Sequence, residues 1–443
     1  MTRSELSPEL ARLVTDHAGR IISCKRSEAG ASRITWLIGT TKRRCVLRQD
    51  PGDGPVAGTP LTLSREASVF QALAHTSVKI PQLLATTDEA ILMDMALGSP
   101  DLGGLDEEGV SSVMNSYIDA LAELHKQEID DRFAALSPPE TPQDAATTNI
   151  RLWAKILETK VQRPSALAAY ATRWLLQRAP ADAEKLALCH GDVGPGNFMH
   201  DGSTVTALLD WEFVHVGDPM DDLASLAFRA HHLGGSVGDF FSQLDRWAEK
   251  TGLPVSLRRI AYYRISVMYI WLVSCLAALD NGARHLNRFT YLNLITLINV
   301  IMPRAMMEYD GLTPPTTPVN LVPVNNDLTE SLAALADLIE LNWTDSDPGR
   351  RTVSPMASQV AEQARLRPDI LDQNACAVAD LTGELDSDYE LVLQSWLSKN
   401  TVDEETILGL LYDNGQRCAA PHATLASIIK KPFLSLDDDS QFS

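Results

Sequence analysis

The spacing of apolar residues along the chain predicts a sheet near the N-terminus and helices over most of the remaining residues. β-rich runs separated by turn residues predict five strands, at Arg20–Ser27, Arg33–Gly39, Arg44–Arg48, Gln82–Thr86 and Ala90–Met95. Between the third and the fourth strand, the Pro/Gly-rich loop Pro51–Pro60 precedes apolar residues at helical spacing over Ser64–Ala74. The first part of the chain is therefore expected to be a small antiparallel sheet that carries one helix.

From about residue 108 to 310 the apolar spacing is mostly helical. Helices are predicted at Val110–Lys126, Asn149–Thr159, Ala166–Gln177 and 258–279, with a short β patch between Leu186 and Trp211. The longest apolar run, Ile265–Leu279, is bounded by Arg264 and Asp280. Fifteen residues are too few to span a bilayer, so this run predicts a buried helix and no membrane partner.

A proline-rich segment, Gly311–Val324, predicts a stiff linker because it holds four prolines and no charge. Beyond it, four amphipathic stretches predict a small helical bundle, at Leu328–Leu341, Pro355–Leu366, Ser387–Leu397 and Glu404–Tyr412. We expect this bundle to hold a fixed place against the preceding helices and to serve docking or formation of a homodimer. The predicted domains are 1–97, 98–310, a linker at 311–325, and 326–443.

Composition narrows the class of protein. The 443 residues carry 38 Lys and Arg against 58 Asp and Glu, a formal net charge of −20. Such acidity disfavours nucleic acid as a partner and weakly favours cationic small molecules. The six scattered cysteines form no paired spacing, which fits a reducing compartment. The first residues lack the apolar run of a signal peptide, so a cytoplasmic location is expected.

The segment Leu188–Ala227 carries the candidate chemistry. A short strand leads into His190-Gly191-Asp192, and Asn197 and Asp210 follow at the ends of two further predicted strands. The three polar side chains should therefore lie close together. Carboxylate and amide oxygens are hard ligands, which suit Mg²⁺ better than zinc.

The sequence His190-Gly191-Asp192 with Asn197 five residues after the Asp, followed by Leu209-Asp210-Trp211-Glu212, resembles the signature motifs of the aminoglycoside phosphotransferase family. That family is related to choline kinases and protein kinases, and the resemblance covers roughly residues 20–310. It implies an α+β, bilobal protein-kinase-like fold with a small antiparallel-sheet N-lobe and a mostly helical C-lobe. The all-α C-terminal domain would be an addition to that fold.

The resemblance also implies roles for the matching residues. Asp192 would be the catalytic base or would orient the acceptor hydroxyl, while Asn197 and Asp210 would hold Mg²⁺ on the phosphates of a nucleoside triphosphate. ATP is the expected phosphoryl donor, with GTP as the alternative. Glu212 either assists a metal or a water molecule or is a solvated acid, and the sequence leaves both interpretations open.

In the N-lobe, a kinase-like fold needs a loop that covers the phosphates. Gly30 and Ser32, between the first two strands, are candidates for it, although the loop lacks the GxGxxG pattern and a plain hairpin turn has the same composition.

The N-lobe also needs a phosphate-binding cation, an acidic partner for it, and a hinge for the adenine. Arg48 stands where this fold usually has a lysine, and Glu66 on the next helix is its expected partner. Met93 and Met95 resemble the hinge that would bind the adenine through the backbone, or they are ordinary core residues.

The expected function is therefore that of an ATP-dependent kinase that phosphorylates a hydroxyl of a small molecule. The acceptor could be an aminoglycoside or other antibiotic, an amino alcohol, a sugar or a hydroxyacyl thioester. The alternative is a non-catalytic nucleotide-binding or scaffolding protein that acts through its C-terminal helices. Such a protein is expected to lose Asp192 or the metal ligands, whereas this sequence keeps all three residues.

Overall fold

An antiparallel sheet forms the N-terminal part of the protein, in a computed structural model that describes residues 6–27, 33–52, 56–232, 238–281, 288–316, 318–342, 350–401 and 403–422. In chain order its elements are α1 (Pro8–Ala18), β1 (Ile21–Arg26), β2 (Ile34–Thr40), β3 (Arg44–Gln49), α2 (Leu63–Leu73), β4 (Leu83–Thr86) and β5 (Ala90–Asp94). The strand order is β1-β2-β3-β5-β4, and all neighbouring strands are antiparallel. The five predicted strands and the helix between them are confirmed.

The two helices cover opposite faces of this sheet because side chains alternate along a strand. On β3, Cys45 and Leu47 pack with α1, whereas Val46 belongs to the core that contains α2. Arg48 is two residues beyond Val46, so the alternation brings it to the α2 face. This register places the guanidinium of Arg48 toward the cleft between the sheet and the helices.

Helices make up most of the second part, with short strands among them. Its elements are α3 (Glu107–His125), α4 (Pro142–Lys160), α5 (Ala166–Gln177), β6 (Ala187–Cys189), β7 (Phe198–His200), β8 (Val205–Leu208), β9 (His215–Gly217), α6 (Met220–His232), α7 (Phe240–Thr251), α8 (Leu257–Asp280) and α9 (Arg288–Tyr309). By length and hydropathy α8 is the one described helix that could span a membrane, yet 89% of its apolar window is buried inside the protein. It is the central core helix, as the sequence predicted.

The C-terminal helices are α10 (Asp327–Asn342), α11 (Arg350–Thr382), α12 (Tyr389–Leu397) and α13 (Glu404–Ala419). Helices α11, α12 and α13 share one apolar core with the preceding helices. The Glu390 carboxylate accepts a hydrogen bond from the backbone N–H of Ala166 (2.8 Å), and the Gln394 amide oxygen accepts one from Ser165 (3.0 Å). These side chains therefore satisfy donors at the start of α5 that the helix itself leaves unpaired.

Helices α9 and α13 approach each other most closely at Gly415. A Cβ at this position would lie 2.2 Å from the backbone oxygen of Asn299, whereas a Cβ at Gly409 on the same helix would meet open space. We expect Gly415→Ala to lower the free energy of unfolding by about 1–3 kcal/mol, because the two helices must separate. Gly409→Ala should be neutral or stabilising by up to about 1 kcal/mol, since alanine favours a helix. Urea unfolding of both variants tests this, and equal stabilities would contradict the tight helix contact.

Candidate active site

A cleft of about 740 Å³ lies between the sheet and the helical part. Seven of the residues singled out in the sequence line it: Arg48, Met93, Met95, Asp192, Asn197, Asp210 and Glu212. Glu66 lies behind Arg48, buried under the sheet. The other two candidates, Gly30 and Ser32, lie outside the described residues, so their predicted role in phosphate binding stays a prediction.

The loop that carries Asp192 begins where β6 ends, and the side chain of Asp222 on α6 holds it in place through hydrogen bonds. The Asp222 carboxylate accepts hydrogen bonds from the backbone N–H groups of His190 (2.7 Å) and Gly191 (2.8 Å) and contacts Nε2 of His125 at 2.9 Å. Burial opposes ionisation of Asp222, but the bond to His125 and the backbone donors hold its pKa below the usual value. Gly191 is required here because a Cβ would lie 2.3 Å from the Phe213 oxygen.

Asp192 is 7% exposed, and each of its carboxylate oxygens accepts one hydrogen bond. Oδ2 accepts from Nδ2 of Asn197 at 2.6 Å, and Oδ1 accepts from Nη2 of Arg229 at 2.5 Å. A carboxylate can accept about four hydrogen bonds, so capacity remains for a hydroxyl donor in the cleft. The two bonds fix the orientation of the carboxylate.

Asn197 and Asp210 are the residues that would hold Mg²⁺. The Nδ2 group of Asn197 donates to Asp192 twice, to Oδ2 and to the backbone oxygen (2.8 Å), which leaves its Oδ1 as the oxygen for a cation. Asp210 has a left-handed backbone with φ of 63°, a costly conformation for a non-glycine residue and a common one at functional sites. Oxygen ligands of this kind fit Mg²⁺.

The charge of the cluster also fits a divalent cation. The guanidinium of Arg48 lies 2.5 Å from Glu66 Oε1, 2.8 Å from Asp210 Oδ1 and 3.8 Å from Glu212 Oε2. Three carboxylates thus lie around one guanidinium, and two of them, Asp210 and Glu212, line the cleft. Burial raises the pKa of Glu66, which is 2% exposed. The predicted partnership of Arg48 with Glu66 is present in the structure.

The segment predicted as the hinge is the end of β5. Met93 is buried opposite Val46 in the strand pairing. Met95 donates its backbone N–H to the oxygen of Arg44 at 3.2 Å. Any contact of Met95 with an adenine would therefore use its carbonyl oxygen or its side chain.

Sequence reasoning missed Arg229, which contacts the predicted base directly. It lies on α6 with Asp222 and Ser225, and all three bond the loop: Ser225 Oγ donates to the Val193 oxygen at 3.1 Å. Their spacing of three and then four residues places them on one helix face. Three polar residues at that spacing among the mostly apolar residues of α6 were the signal. Burial alone would lower the pKa of Arg229, but the Asp192 carboxylate raises it, so the guanidinium stays charged.

The chain is similar in sequence to several known proteins. Acyl-CoA dehydrogenase family member 10 of Mus musculus is 25% identical over 264 residues, 56% of this chain and 24% of that protein. Acyl-CoA dehydrogenase family member 11 of Rattus norvegicus is 22% identical over 271 residues, 58% of this chain and 34% of that protein. The chain thus spans about a quarter to a third of the length of these relatives.

Two solved structures share the fold. LicA, the choline kinase of Streptococcus pneumoniae, in complex with AMP has a TM-score of 0.51 at 17% identity and covers 68% of this chain and 98% of its own. The gentamicin complex of APH(2")-IIa has a TM-score of 0.50 at 16% identity and covers 69% of this chain and 99% of its own. A sequence profile of the phosphotransferase enzyme family matches residues 23–254, more than half of the chain. The protein therefore belongs to the phosphotransferase enzyme family and has its bilobal, kinase-like fold.

Proposed function

We propose that the protein transfers the γ-phosphoryl group of ATP to a hydroxyl group of a small molecule. The observation that carries this proposal is the Asp192 carboxylate, which is held at the cleft by Asn197 and Arg229 and lies beside the acidic cluster around Asp210. Phosphoryl transfer depends mainly on positioning and on neutralising charge. The described residues supply a base, a fixed cation and oxygen ligands at one place, which is the set that this reaction requires.

In the proposed reaction Asp192 accepts a hydrogen bond from the acceptor hydroxyl and takes up its proton. The acceptor oxygen then forms a bond to the γ-phosphorus, while the bond between that phosphorus and the bridging oxygen of ADP breaks. Mg²⁺ held by Asn197 and Asp210 would neutralise charge on the phosphate oxygens. Arg229 fixes the carboxylate throughout, and Arg48 joins the sheet to Glu66 and Asp210.

The relatives leave several acceptor classes open. One solved neighbour is named as a choline kinase and another is bound to gentamicin, while the curated relatives are named for acyl-CoA dehydrogenases. An amino alcohol, an antibiotic, a sugar and a hydroxyacyl thioester are therefore all acceptor candidates for the first screen.

The test is turnover of Mg·ATP over a panel of these alcohols, with mass spectrometry to detect a phosphorylated product. The expected result is a product about 80 Da heavier than one acceptor, formed together with ADP, because a phosphoryl group replaces a hydrogen. Nucleotide binding without phosphorylation of any acceptor would instead favour a nucleotide-binding or scaffolding protein that acts through α10–α13.

The metal assignment makes a separate prediction. Asp210→Asn and Asn197→Ala should each raise the Mg²⁺ concentration needed for half-maximal turnover and weaken ATP binding, because the first loses the negative charge of a ligand and the second loses a ligand oxygen. A tenfold increase corresponds to about 1.4 kcal/mol of lost binding, an ordinary cost for one ligand. Turnover is measured against Mg²⁺ at saturating acceptor.

Glu212→Gln is the matched comparison for these two variants. An equal increase in the Mg²⁺ requirement would make Glu212 a third ligand, and an unchanged requirement would leave it as a charge beside Arg48. If neither Asp210→Asn nor Asn197→Ala alters the Mg²⁺ dependence, the metal site has been misplaced.

A further inference from the structure

Beyond the loop of Asp192, the cleft is walled by α8 and α9. The α8 residues that line it, Ile270, Trp271, Ser274, Cys275 and Ala278, recur every four positions and so form one face. Three α9 residues, Thr290, Tyr291 and Leu294, also line it. Ile270, Cys275 and Ala278 are buried, and Trp271, Ser274 and Leu294 are half-buried. We call these residues of α8 and α9 the acceptor wall. Its side chains carry no charge, and its strong hydrogen-bonding groups are the hydroxyls of Ser274, Thr290 and Tyr291 and the indole N–H of Trp271.

The acceptor wall lies next to the proposed base. The guanidinium of Arg229 lies over the ring of Trp271, 5.1 Å from its centroid, and the same guanidinium bonds Asp192. One side chain therefore separates the wall from the catalytic carboxylate. An acceptor whose hydroxyl meets Asp192 would lay its carbon skeleton along the wall.

The wall carries no charge that could hold a cationic acceptor. Every charged residue that lines the cleft among the described residues belongs to the sheet side, up to Asp94, or to the segment from Asp192 to Glu212.

Of the acidic residues on and near α6 and α7, three are engaged away from the acceptor wall. Asp221 and Asp222 are buried, where they pair with His215 and His125, and Asp239 caps the start of α7. The net charge of −20 is therefore not concentrated at the wall.

We infer that the acceptor is an alcohol whose hydroxyl is carried on an uncharged, apolar carbon skeleton. This inference rests on the proposed phosphotransferase function and specifies its substrate class. Burial of apolar surface against the wall supplies the binding free energy, at about 0.8 kcal/mol for each methylene group. Because 1.4 kcal/mol corresponds to a tenfold change in affinity, that value predicts roughly a three- to fourfold gain in affinity for each added methylene.

The experiment uses the full chain with Mg·ATP and a homologous series of straight-chain alkanols, with choline and an aminoglycoside as charged acceptors. We expect kcat/KM to rise about threefold or more with each methylene until the wall is filled. Choline and the aminoglycoside should be at least about a hundredfold poorer, because their ammonium groups would be desolvated without a partner. Equal or better turnover of a charged acceptor, or no effect of chain length, would overturn the inference and leave the phosphotransferase function standing.

A matched pair of variants locates the effect. Ser274→Asp places a carboxylate on the wall, and Ser274→Asn is its uncharged counterpart of similar size. Ser274→Asp should lose most of the dependence on chain length and gain turnover of choline, while Ser274→Asn should keep the alkanol preference. Unchanged thermal unfolding and ATP affinity show that both variants are folded. If Ser274→Asp behaves as Ser274→Asn on both kinds of acceptor, the wall does not bind the acceptor.

Calorimetric binding of the alkanols in the presence of a non-hydrolysable ATP analogue separates the two proposals. A chain-length dependence of binding without turnover would support the acceptor wall and contradict the phosphotransferase function. Absence of both would overturn the acceptor wall.

Discussion

Replacement of Asp192 by Asn or Ala is expected to abolish measurable phosphoryl transfer while ATP binding survives. Removal of a general base costs typically about 10²- to 10⁴-fold in rate, and here the same carboxylate also orients the acceptor. The Asn substitution is not neutral in this site. Asp192 accepts one hydrogen bond at each oxygen, from Asn197 and from Arg229, whereas an Asn side chain can accept at only one of them.

The measurement is the steady-state rate with the acceptor found in the screen, together with ATP affinity by calorimetry. Arg229→Lys is an informative comparison, since it keeps a positive charge near Asp192 and should retain more activity than Arg229→Met. An Asp192→Asn enzyme that keeps nearly full turnover would show that another group takes the proton. Loss of ATP binding in the same variant would place Asp192 at the nucleotide instead of the acceptor.

The catalytic segment could be placed from the sequence because its residues lie close together in the chain. His190-Gly191-Asp192, Asn197 and Asp210 are separated by short turns and strands, so local spacing determines where their side chains emerge. The pairing of Arg48 with Glu66 could also be anticipated, since strand alternation and the following helix bring them to one face. Each of these inferences needed only local geometry and the resemblance to a known fold.

Features that depend on distant contacts escaped the sequence analysis. Arg229 is 37 residues from Asp192, and its role follows only from the way α6 packs under the loop. Helix α11 is much longer than the predicted stretch, because it continues through Pro368 and is stabilised by packing against α10 and α13. Helix α9 likewise contains Pro303, a residue that breaks helical patterns in sequence reasoning. Packing offsets the cost of these prolines, and packing cannot be read from spacing.

The charge around the acceptor is a second property that the sequence alone did not predict. Composition suggested a cationic acceptor, yet Asp221 lies 3.0 Å from Nε2 of His215 inside the protein, and not in the cleft. Net charge reports on the whole surface, whereas specificity depends on the few side chains that line one wall.

The largest effect on stability is expected from Asp222→Ala. This carboxylate is fully buried and serves the backbone N–H groups of His190 and Gly191 together with His125. Its removal leaves buried donors without an acceptor, which typically costs about 3–5 kcal/mol for a buried ionic group. Asp119→Ala is the matched control, because Asp119 on α3 pairs with Arg246 in a half-exposed ion pair worth less than about 1 kcal/mol.

The acid dependence of unfolding gives the same prediction a second test. The pKa of Asp222 is lowered in the folded protein, so its contribution to stability is fully present above the ordinary aspartate pKa of about 3.9 and is lost as the pH falls through the lower folded value. Urea unfolding should therefore show a difference of several kcal/mol between the wild type and Asp222→Ala at neutral pH. The difference should shrink as the pH falls below about 3.9, the ordinary aspartate pKa, toward the lower folded value. A difference that is small at neutral pH, or one that grows on acidification, would mean that Asp222 does not hold the catalytic loop as an ionised carboxylate.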